Sequence, residues 1–166
     1  MGCNWCDAKE TWNPLIFPPV HYKEIVKEAL KYQAKSIVIT GGEPLLYPLD
    51  KLCEELKLHN FEIFLETSGS SKLSGRYDWI TLSPKKKKNP IKEIYQVASE
   101  LKVIIESETD FEWAEINRAL VSNSCKLYLQ PEWSKRDIVM PKIVEYIKMN
   151  PYWQVSLQTH KYMNIP

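Results

Sequence analysis

The sequence predicts an α/β fold built on a mostly parallel β-sheet. Short apolar segments typical of buried strands alternate along the chain with helical patterns in which one face is apolar. Nearly every predicted strand is followed directly by polar residues, glycine or proline. The length of 166 residues fits one domain with a substantial core. Alternating strands and helices favour parallel pairing with right-handed connections.

The prediction is organised around the segment that ends in Gly41 and Gly42. The preceding residues Ser36–Thr40 are rich in β-branched apolar side chains and predict a short strand buried on both faces. Paired glycines let a backbone approach a ligand closely, and Pro44 stiffens the turn. The carboxylate of Glu43 and the bare backbone beside it suit a ligand with an ammonium group and a polar edge.

The other elements follow from the same two patterns. Helices are predicted over residues 21–34, 49–58, 91–99, 110–121 and 141–149, and strands over 61–65, 79–82, 101–105, 127–129 and 153–157. Asp110 is expected to cap its helix, and Pro141 to lie in the first turn of the next one. Cys53 and Cys125 are expected to be buried core residues.

The composition excludes several classes of function. The 22 basic and 21 acidic side chains leave a net charge of +1, so nothing in the overall charge indicates nucleic acid or a membrane surface as a partner. No apolar segment reaches the roughly 18 residues that a spanning helix needs, and no signal-peptide pattern begins the sequence. We therefore expect a cytoplasmic protein in which two of the four cysteines, Cys3 and Cys6, serve metal or redox chemistry rather than a disulfide framework.

Five polar clusters follow predicted strands. They lie at residues 40–43, 66–69, 83–85, 130–132 and 158–160. The carboxyl ends of parallel strands meet at one edge of a sheet, and ligands of α/β proteins bind at that edge. The clusters therefore predict a single composite site.

Cys3 and Cys6 stand in the C-x-x-C spacing that lets two thiolates reach one metal or cluster iron. The pair alone is compatible with half of a zinc site, with a redox dithiol and with part of an iron–sulfur cluster. A redox dithiol normally begins a helix after a strand, and only two residues precede this pair, so that interpretation is the weakest.

Taken in order, the motifs resemble the radical S-adenosylmethionine enzymes, and within them the 7-carboxy-7-deazaguanine synthase family. The motifs are Gly-Cys-Asn-Trp-Cys-Asp at 2–7, Thr-Gly-Gly-Glu-Pro at 40–44, Glu-Thr-Ser-Gly at 66–69, Ser-Pro-Lys at 83–85, Gln-Pro-Glu-Trp at 130–133 and Gln-Thr-His-Lys at 158–161. The resemblance implies a partial, open (β/α) barrel forming a single domain over residues 1–166. It also implies a [4Fe–4S] cluster bound by three cysteines, together with S-adenosylmethionine.

The resemblance also implies a role for individual residues. Cys3 and Cys6 match two of the three cluster ligands. The residues that match contacts to S-adenosylmethionine are Gly41, Gly42, Glu43, Ser68, Ser83, Pro84, Lys85 and Gln130. Thr40 and the C-terminal carboxylate of Pro166 match contacts to the substrate.

The activity implied by the family is a radical ring contraction. The substrate, 6-carboxy-5,6,7,8-tetrahydropterin, loses ammonia and becomes 7-carboxy-7-deazaguanine, an intermediate of queuosine and other deazapurines. An electron donor such as flavodoxin or ferredoxin and a homodimeric assembly are expected with it.

Two departures from the family pattern bear on activity. The first cluster cysteine, four residues before Cys3 in the family, is not in this sequence, so we expect an N-terminally truncated form. The alternative is a truncated, non-catalytic protein that binds a metal or S-adenosylmethionine. Ala8 stands where many members carry a threonine that contacts Mg²⁺, and alanine offers no hydroxyl ligand, so a need for magnesium is in question.

Several further side chains are candidates on their own chemistry. Lys85 is assigned to the site, whereas Lys86–Lys88 are interpreted as a solvated loop. Glu66 is a candidate polar contact because it lies near a strand end. His160 is either a general base or a structural hydrogen-bonding residue. Trp133 is a candidate pocket wall, with core packing as the default alternative.

Overall fold

The computed structural model describes Asn13 and residues 15–165. These residues contain six strands: β1 (Ser36–Ile39), β2 (Glu62–Thr67), β3 (Trp79–Leu82), β4 (Glu100–Ile105), β5 (Lys126–Pro131) and β6 (Trp153–Val155). They form one sheet in sequence order, and every neighbouring pair is parallel. The predicted α/β fold with parallel strands in an open sheet is confirmed.

Helices connect the strands of this sheet. Those described are α1 (Tyr22–Ala29), α2 (Asp50–Leu58), α3 (Lys92–Val97), α4 (Thr109–Arg118), α5 (Arg136–Met149) and α6 (Thr159–Tyr162), with 3₁₀ turns at Pro44–Leu46 and Trp133–Lys135. None of the described helices has both the length and the apolar character that crossing a membrane requires.

The two faces of the sheet differ in character. A parallel sheet whose strands follow in sequence order, joined by right-handed connections, places its helices on one face. Accordingly, Ile63 and Leu65 of β2 and Val103 of β4 are buried in the core with residues of the helices. The alternate residues, such as Phe64 and Lys102, are only half-buried. We call the side without core packing the open face.

Two helix boundaries differ most from the prediction. Helix α1 ends at Ala29 rather than at residue 34, because the residues that follow it, 30–34, are exposed and offer no buried face. Helix α5 begins at Arg136, so Pro141 lies inside it rather than in its first turn. The preceding 3₁₀ turn starts this helix early, since Glu132 accepts hydrogen bonds from the backbone N–H groups of Ser134 and Lys135.

The predicted burial of the first strand on both faces is wrong. In β1 the side chains alternate between exposed and half-buried, and Val38 is 55% exposed on the open face. β1 is the edge strand of the described sheet, so only β2 pairs with it. Of its apolar residues, Ile37 borders a groove of about 750 Å³ that Ile25 and Tyr32 also line.

Two strands extend further than their apolar residues indicate. β2 continues through Glu66 to Thr67, which pairs with Leu82, and β5 continues through Gln130 to Pro131, which pairs with Ile105. The hydrogen-bond ladder with a neighbouring strand draws these polar residues into the sheet. The predicted burial of Cys53 and Cys125 is confirmed, at 1% and 7% exposure.

Candidate active site

All six strands end at the same side of the sheet, which we call the carboxyl edge. It consists of the residues after each strand: 40–43, 68–69, 83–85, 106–107, 132–133 and 156–159. The polar clusters predicted from the sequence therefore lie along one edge, in the order of their strands. Among them, Thr40, Gly41 and Gly42 are exposed, Ser83 and Lys85 are half-buried, and Pro84 is buried.

Glu43 joins the ends of β1 and β2. Its side chain is 7% exposed. One carboxylate oxygen accepts hydrogen bonds from the Thr67 hydroxyl at 2.6 Å and from the Leu45 backbone N–H at 3.2 Å. The other accepts from the Ser68 backbone N–H at 2.8 Å and from the Ser68 hydroxyl. A carboxylate offers roughly four acceptor positions, and Glu43 uses all of them within the protein.

The glycine strip beside Glu43 is open to approach. Gly41 has φ of +126°, a conformation that side chains disfavour, and among the described residues none but its chain neighbours lies within 4 Å of the position that a Cβ would take. Gly41 thus presents bare backbone with space around it, and Gly42 beside it is exposed. This is the property that the sequence pattern indicated for close contact with a ligand.

The turn after β2 is buried and internally bonded. Ser68 and Ser70 are 7% and 6% exposed, and their hydroxyl oxygens lie 3.1 Å apart. The backbone N–H of Gly69 donates to the Thr67 hydroxyl oxygen at 2.9 Å. Ser68 is therefore held rigidly next to Glu43.

The segment after β3 carries lysines in two different settings. Lys85 donates from Nζ to the Ser83 hydroxyl oxygen at 2.6 Å. Lys86 lies 2.5 Å from a carboxylate oxygen of Asp110, whose side chain is 8% exposed. Lys86 is exposed, as expected, but it also forms an ion pair that the sequence did not indicate, because a buried carboxylate is stabilised by a nearby cation.

Asp110 does not cap its helix as predicted. It lies within the first turn of α4, where the N-cap residue is Glu108. Its other carboxylate oxygen accepts from the backbone N–H groups of Glu106 and Ser107 at 2.9 and 2.7 Å. Burial acts to raise the pKa of Asp110, but the hydrogen bonds from Lys86 and from these N–H groups outweigh it and hold the pKa below the usual value. The charged pair fixes the lysine loop against the end of β4.

Gln130 lies within β5 and is buried at 9% exposure. Its side-chain oxygen accepts from the Ser156 hydroxyl at 3.1 Å, which ties the end of β6 to β5. The amide of Gln130 is placed on the open face, because its register partner in β4 is the half-buried Ile104.

The open face brings together charged residues that are far apart in the sequence. Lys102 of β4 lies 3.0 Å from the Glu66 carboxylate of β2, and the side chain of Lys102 is only 15% exposed. Glu100 accepts a hydrogen bond from the Trp79 indole at 3.3 Å. A lysine between two apolar residues of a strand was the available signal, but the sequence did not identify its partner two strands away.

Burial raises the pKa of Glu100 above its usual value, and the Glu66 carboxylate acts in the same direction. The Lys102 ammonium group and the Trp79 hydrogen bond act against this rise. Lys102 therefore forms an ion pair with Glu66 and favours the charged form of Glu100 on the open face.

Replacing Lys102 with methionine should raise the pKa of Glu100 further, because the nearby positive charge is removed. A carboxyl group whose folded-state pKa is raised adds stability below its unfolded pKa of about 4.3, and that stability is lost as the pH rises through the folded value. The free energy of unfolding should thus fall more steeply in Lys102→Met than in the parent as the pH rises above about 4. Chemical denaturation across this range measures the two slopes.

Lys142→Met is a matched control, since Lys142 pairs with the exposed Glu108 at 2.6 Å. That variant should follow the parent above about pH 5, where the exposed Glu108 carboxylate is ionised in both the folded and the unfolded state. Parallel curves for Lys102→Met and the parent would contradict the assigned role of Lys102.

The remaining predicted ligands lie outside the described residues. These are Cys3 and Cys6 of the C-x-x-C pair and Pro166. Ala8, which offers no hydroxyl for Mg²⁺, lies outside them as well. Within Asn13 and residues 15–165, no group of three or more His, Cys, Asp and Glu side chains is arranged to hold a metal ion.

Comparison with known proteins agrees with this architecture. Residues 1–103 match the Radical SAM superfamily, so the chain is a radical S-adenosylmethionine protein. It is 51% identical over 166 residues to 7-carboxy-7-deazaguanine synthase of Flavobacterium psychrophilum, covering 100% of this chain and 79% of that protein. It is 46% identical over 165 residues to the protein of the same name from Synechocystis, covering 99% and 79%. The chain belongs to the 7-carboxy-7-deazaguanine synthase family.

A solved structure supports the same assignment. The crystal structure of QueE from Escherichia coli matches with a TM-score of 0.80 and 25% sequence identity, over 95% of this chain and 80% of that one. The open parallel sheet described above is therefore the fold of a radical S-adenosylmethionine enzyme.

Proposed function

We propose that this chain catalyses the ring contraction of 6-carboxy-5,6,7,8-tetrahydropterin to 7-carboxy-7-deazaguanine, a lyase step of queuosine biosynthesis. The observation that carries the proposal is 51% identity, over the whole chain, to a protein named for that product. The polar carboxyl edge supports it, because the residues that the family pattern assigns to the cofactor lie there together.

S-adenosylmethionine is proposed to bind along the carboxyl edge. Gly41 and Gly42 are exposed, and the space beside Gly41 would admit the methionine end of the cofactor. The other proposed contacts are Ser68, Ser83, Pro84, Lys85 and Gln130. The bond between Lys85 and Ser83 would hold both side chains in place before the cofactor arrives, which reduces the entropy lost on binding.

Glu43 is proposed to act mainly by positioning. Because its acceptor positions are used by Thr67, Ser68 and Leu45, it would reach an ammonium group only by giving up the hydrogen bond of a hydroxyl. The intact network instead fixes Ser68 and the neighbouring glycine strip.

The iron–sulfur cluster is proposed to bind to Cys3 and Cys6. When bound, the cluster and S-adenosylmethionine supply a carbon-centred radical by one-electron reduction of the sulfonium. The protein must then hold the pterin at a fixed distance and exclude water. Thr40 at the end of β1 and the carboxylate of Pro166 are the proposed substrate contacts.

The domain organisation, electron donor, oligomeric state and location are proposed from the same resemblance. We propose a single domain over residues 1–166, a flavodoxin or ferredoxin as electron donor, and a cytoplasmic homodimer. The apolar groove of about 750 Å³ beside β1 supports the dimer, because a second chain would cover it. The net charge of +1 gives no support for a nucleic acid partner. Magnesium is not included in the proposal, because Ala8 has no hydroxyl.

The test is anaerobic reconstitution with iron and sulfide, followed by reaction with S-adenosylmethionine, a reductant and the pterin. About four irons per chain, with 5′-deoxyadenosine and 7-carboxy-7-deazaguanine detected by mass spectrometry, are the expected result. The assay is run on this chain and on one extended by the codons that precede Met1, with Cys6→Ala as the control that should lose the cluster.

A chain that carries the full cluster and cleaves S-adenosylmethionine, but leaves the pterin unchanged, would overturn the proposed substrate. Failure of both chains to bind iron would overturn the proposal that the protein binds an iron–sulfur cluster.

A further inference from the structure

The last described helix, α6, is largely exposed. Helix α6 spans Thr159–Tyr162 and contains no buried residue. Tyr162, Met163 and Ile165 are 57%, 61% and 51% exposed. A segment with so little burial needs another contact to hold one position.

Trp133 provides such contacts. The ring of Tyr162 meets the Trp133 ring edge-on, with centroids 5.1 Å apart. The ammonium group of Lys161 lies 5.3 Å from the centroid of the Trp133 ring. The guanidinium of Arg136 lies 4.5 Å from the same ring, and Arg136 also donates to the Trp133 carbonyl oxygen at 2.9 Å. Edge-on aromatic pairs and cations near an indole are both favourable arrangements.

The backbone that carries Trp133 is held in place at the carboxyl edge. It follows β5 directly after Glu132, whose backbone N–H donates to the Ile105 carbonyl oxygen at 2.9 Å. Helix α6 follows β6, and Ser156 donates to Leu129 and Gln130 of β5. The aromatic contact therefore joins two neighbouring parts of the carboxyl edge, close in sequence to the proposed cofactor contact Gln130.

We propose that Trp133 is a positioning residue that holds residues 159–165 against the carboxyl edge. Because these residues lead directly into Pro166, the proposed substrate contact, holding them sets the affinity for the pterin, although Trp133 does not touch it. This inference rests on the proposed function for the substrate contact of Pro166. The aromatic contact itself is independent of that function.

Trp133→Leu tests the contact, because leucine keeps apolar volume and removes the ring. Tryptic cleavage after Lys161, followed by mass spectrometry, should become about tenfold faster, with cleavage after the exposed Lys148 as internal reference. The conservative variant Trp133→Phe should recover most of the protection. Tyr162→Leu, at an exposed position, should act in the same direction without disturbing the core.

The matched control is Tyr152→Leu. Tyr152 carries a comparable cation–π contact, with the Arg118 guanidinium 4.5 Å from its ring, but it precedes β6 at the opposite side of the sheet. This variant should leave the cleavage rate after Lys161 unchanged.

Kinetics on the reconstituted enzyme then test the link to substrate. Trp133→Leu should raise the KM for the pterin about tenfold, or about 1.4 kcal/mol. Tyr162→Leu, outside the carboxyl edge, should raise this KM in the same direction while cleavage of S-adenosylmethionine without pterin stays at the parent rate. Unchanged cleavage after Lys161 in both Trp133→Leu and Tyr162→Leu would overturn the positioning contact. Faster cleavage with an unchanged pterin KM would overturn its link to substrate. An inactive parent enzyme would contradict the proposed function alone, because the tryptic rates still decide the contact.

Discussion

Gly69→Ala should lower the free energy of unfolding by about 3 kcal/mol. Gly69 has φ of +71°, in the left-handed region. An added Cβ would lie 2.6 Å from Leu82 Cδ1, 3.0 Å from Pro90 Cβ and 3.1 Å from Ile94 Cγ2. Leu82 and Ile94 are fully buried, so neither has space to move away. Denaturant unfolding followed by circular dichroism measures the loss.

Gly41→Ala separates the two causes of that loss. Gly41 also has a positive φ, of +126°, but within the described part of the chain no residue other than its two neighbours comes within 4 Å of an added Cβ. This variant should lose about 1–2 kcal/mol, from backbone strain alone. Equal losses in the two variants would show that packing around Gly69 is less tight than described.

Glu43→Gln should destabilise the protein by about 2 kcal/mol and weaken S-adenosylmethionine binding about tenfold. The amide has one oxygen where the carboxylate has two. With that oxygen facing the Ser68 backbone N–H, the amide nitrogen meets the Leu45 backbone N–H, so two donors face each other in a buried site. The disturbed turn then misplaces the glycine strip. Thermal unfolding and anaerobic calorimetry with the cofactor measure the two effects.

Glu115→Gln is the matched control for Glu43→Gln. Glu115 also accepts several hydrogen bonds, including those from the Trp153 indole at 2.7 Å and the Tyr146 hydroxyl at 2.9 Å. It lies near the amino end of β6, on the opposite side from the carboxyl edge. The Glu115→Gln variant should be less stable than the parent and should bind S-adenosylmethionine with the parent's affinity. Unchanged cofactor affinity in folded Glu43→Gln would contradict the placement of S-adenosylmethionine at this edge.

Much of the fold could be predicted from local patterns. The segment Trp79–Leu82 was predicted with its observed limits, and the burial of Cys53 in α2 was predicted as well. Such features depend on side chains close in sequence, so the sequence displays them directly. The polar residues after each strand were visible for the same reason.

Boundaries and burial were less predictable. Pro141 indicated a helix start, yet α5 begins five residues earlier because Glu132 caps the preceding turn. Val38 is an apolar β-branched residue of the kind found in buried strands. It is exposed because β1 is an edge strand of the described sheet. In both cases a neighbouring element overrides the local preference.

By itself the sequence determined the parallel α/β class and the set of polar residues at the carboxyl edge, because strand and helix periodicity and the residues that end strands are local properties. Only the tertiary structure decided which of these residues meet. Glu43 with Ser68, Lys102 with Glu66, and Trp133 with α6 all join separate parts of the chain. Their pairing depends on strand register and on burial, which favour a charged or aromatic contact only once the sheet has formed.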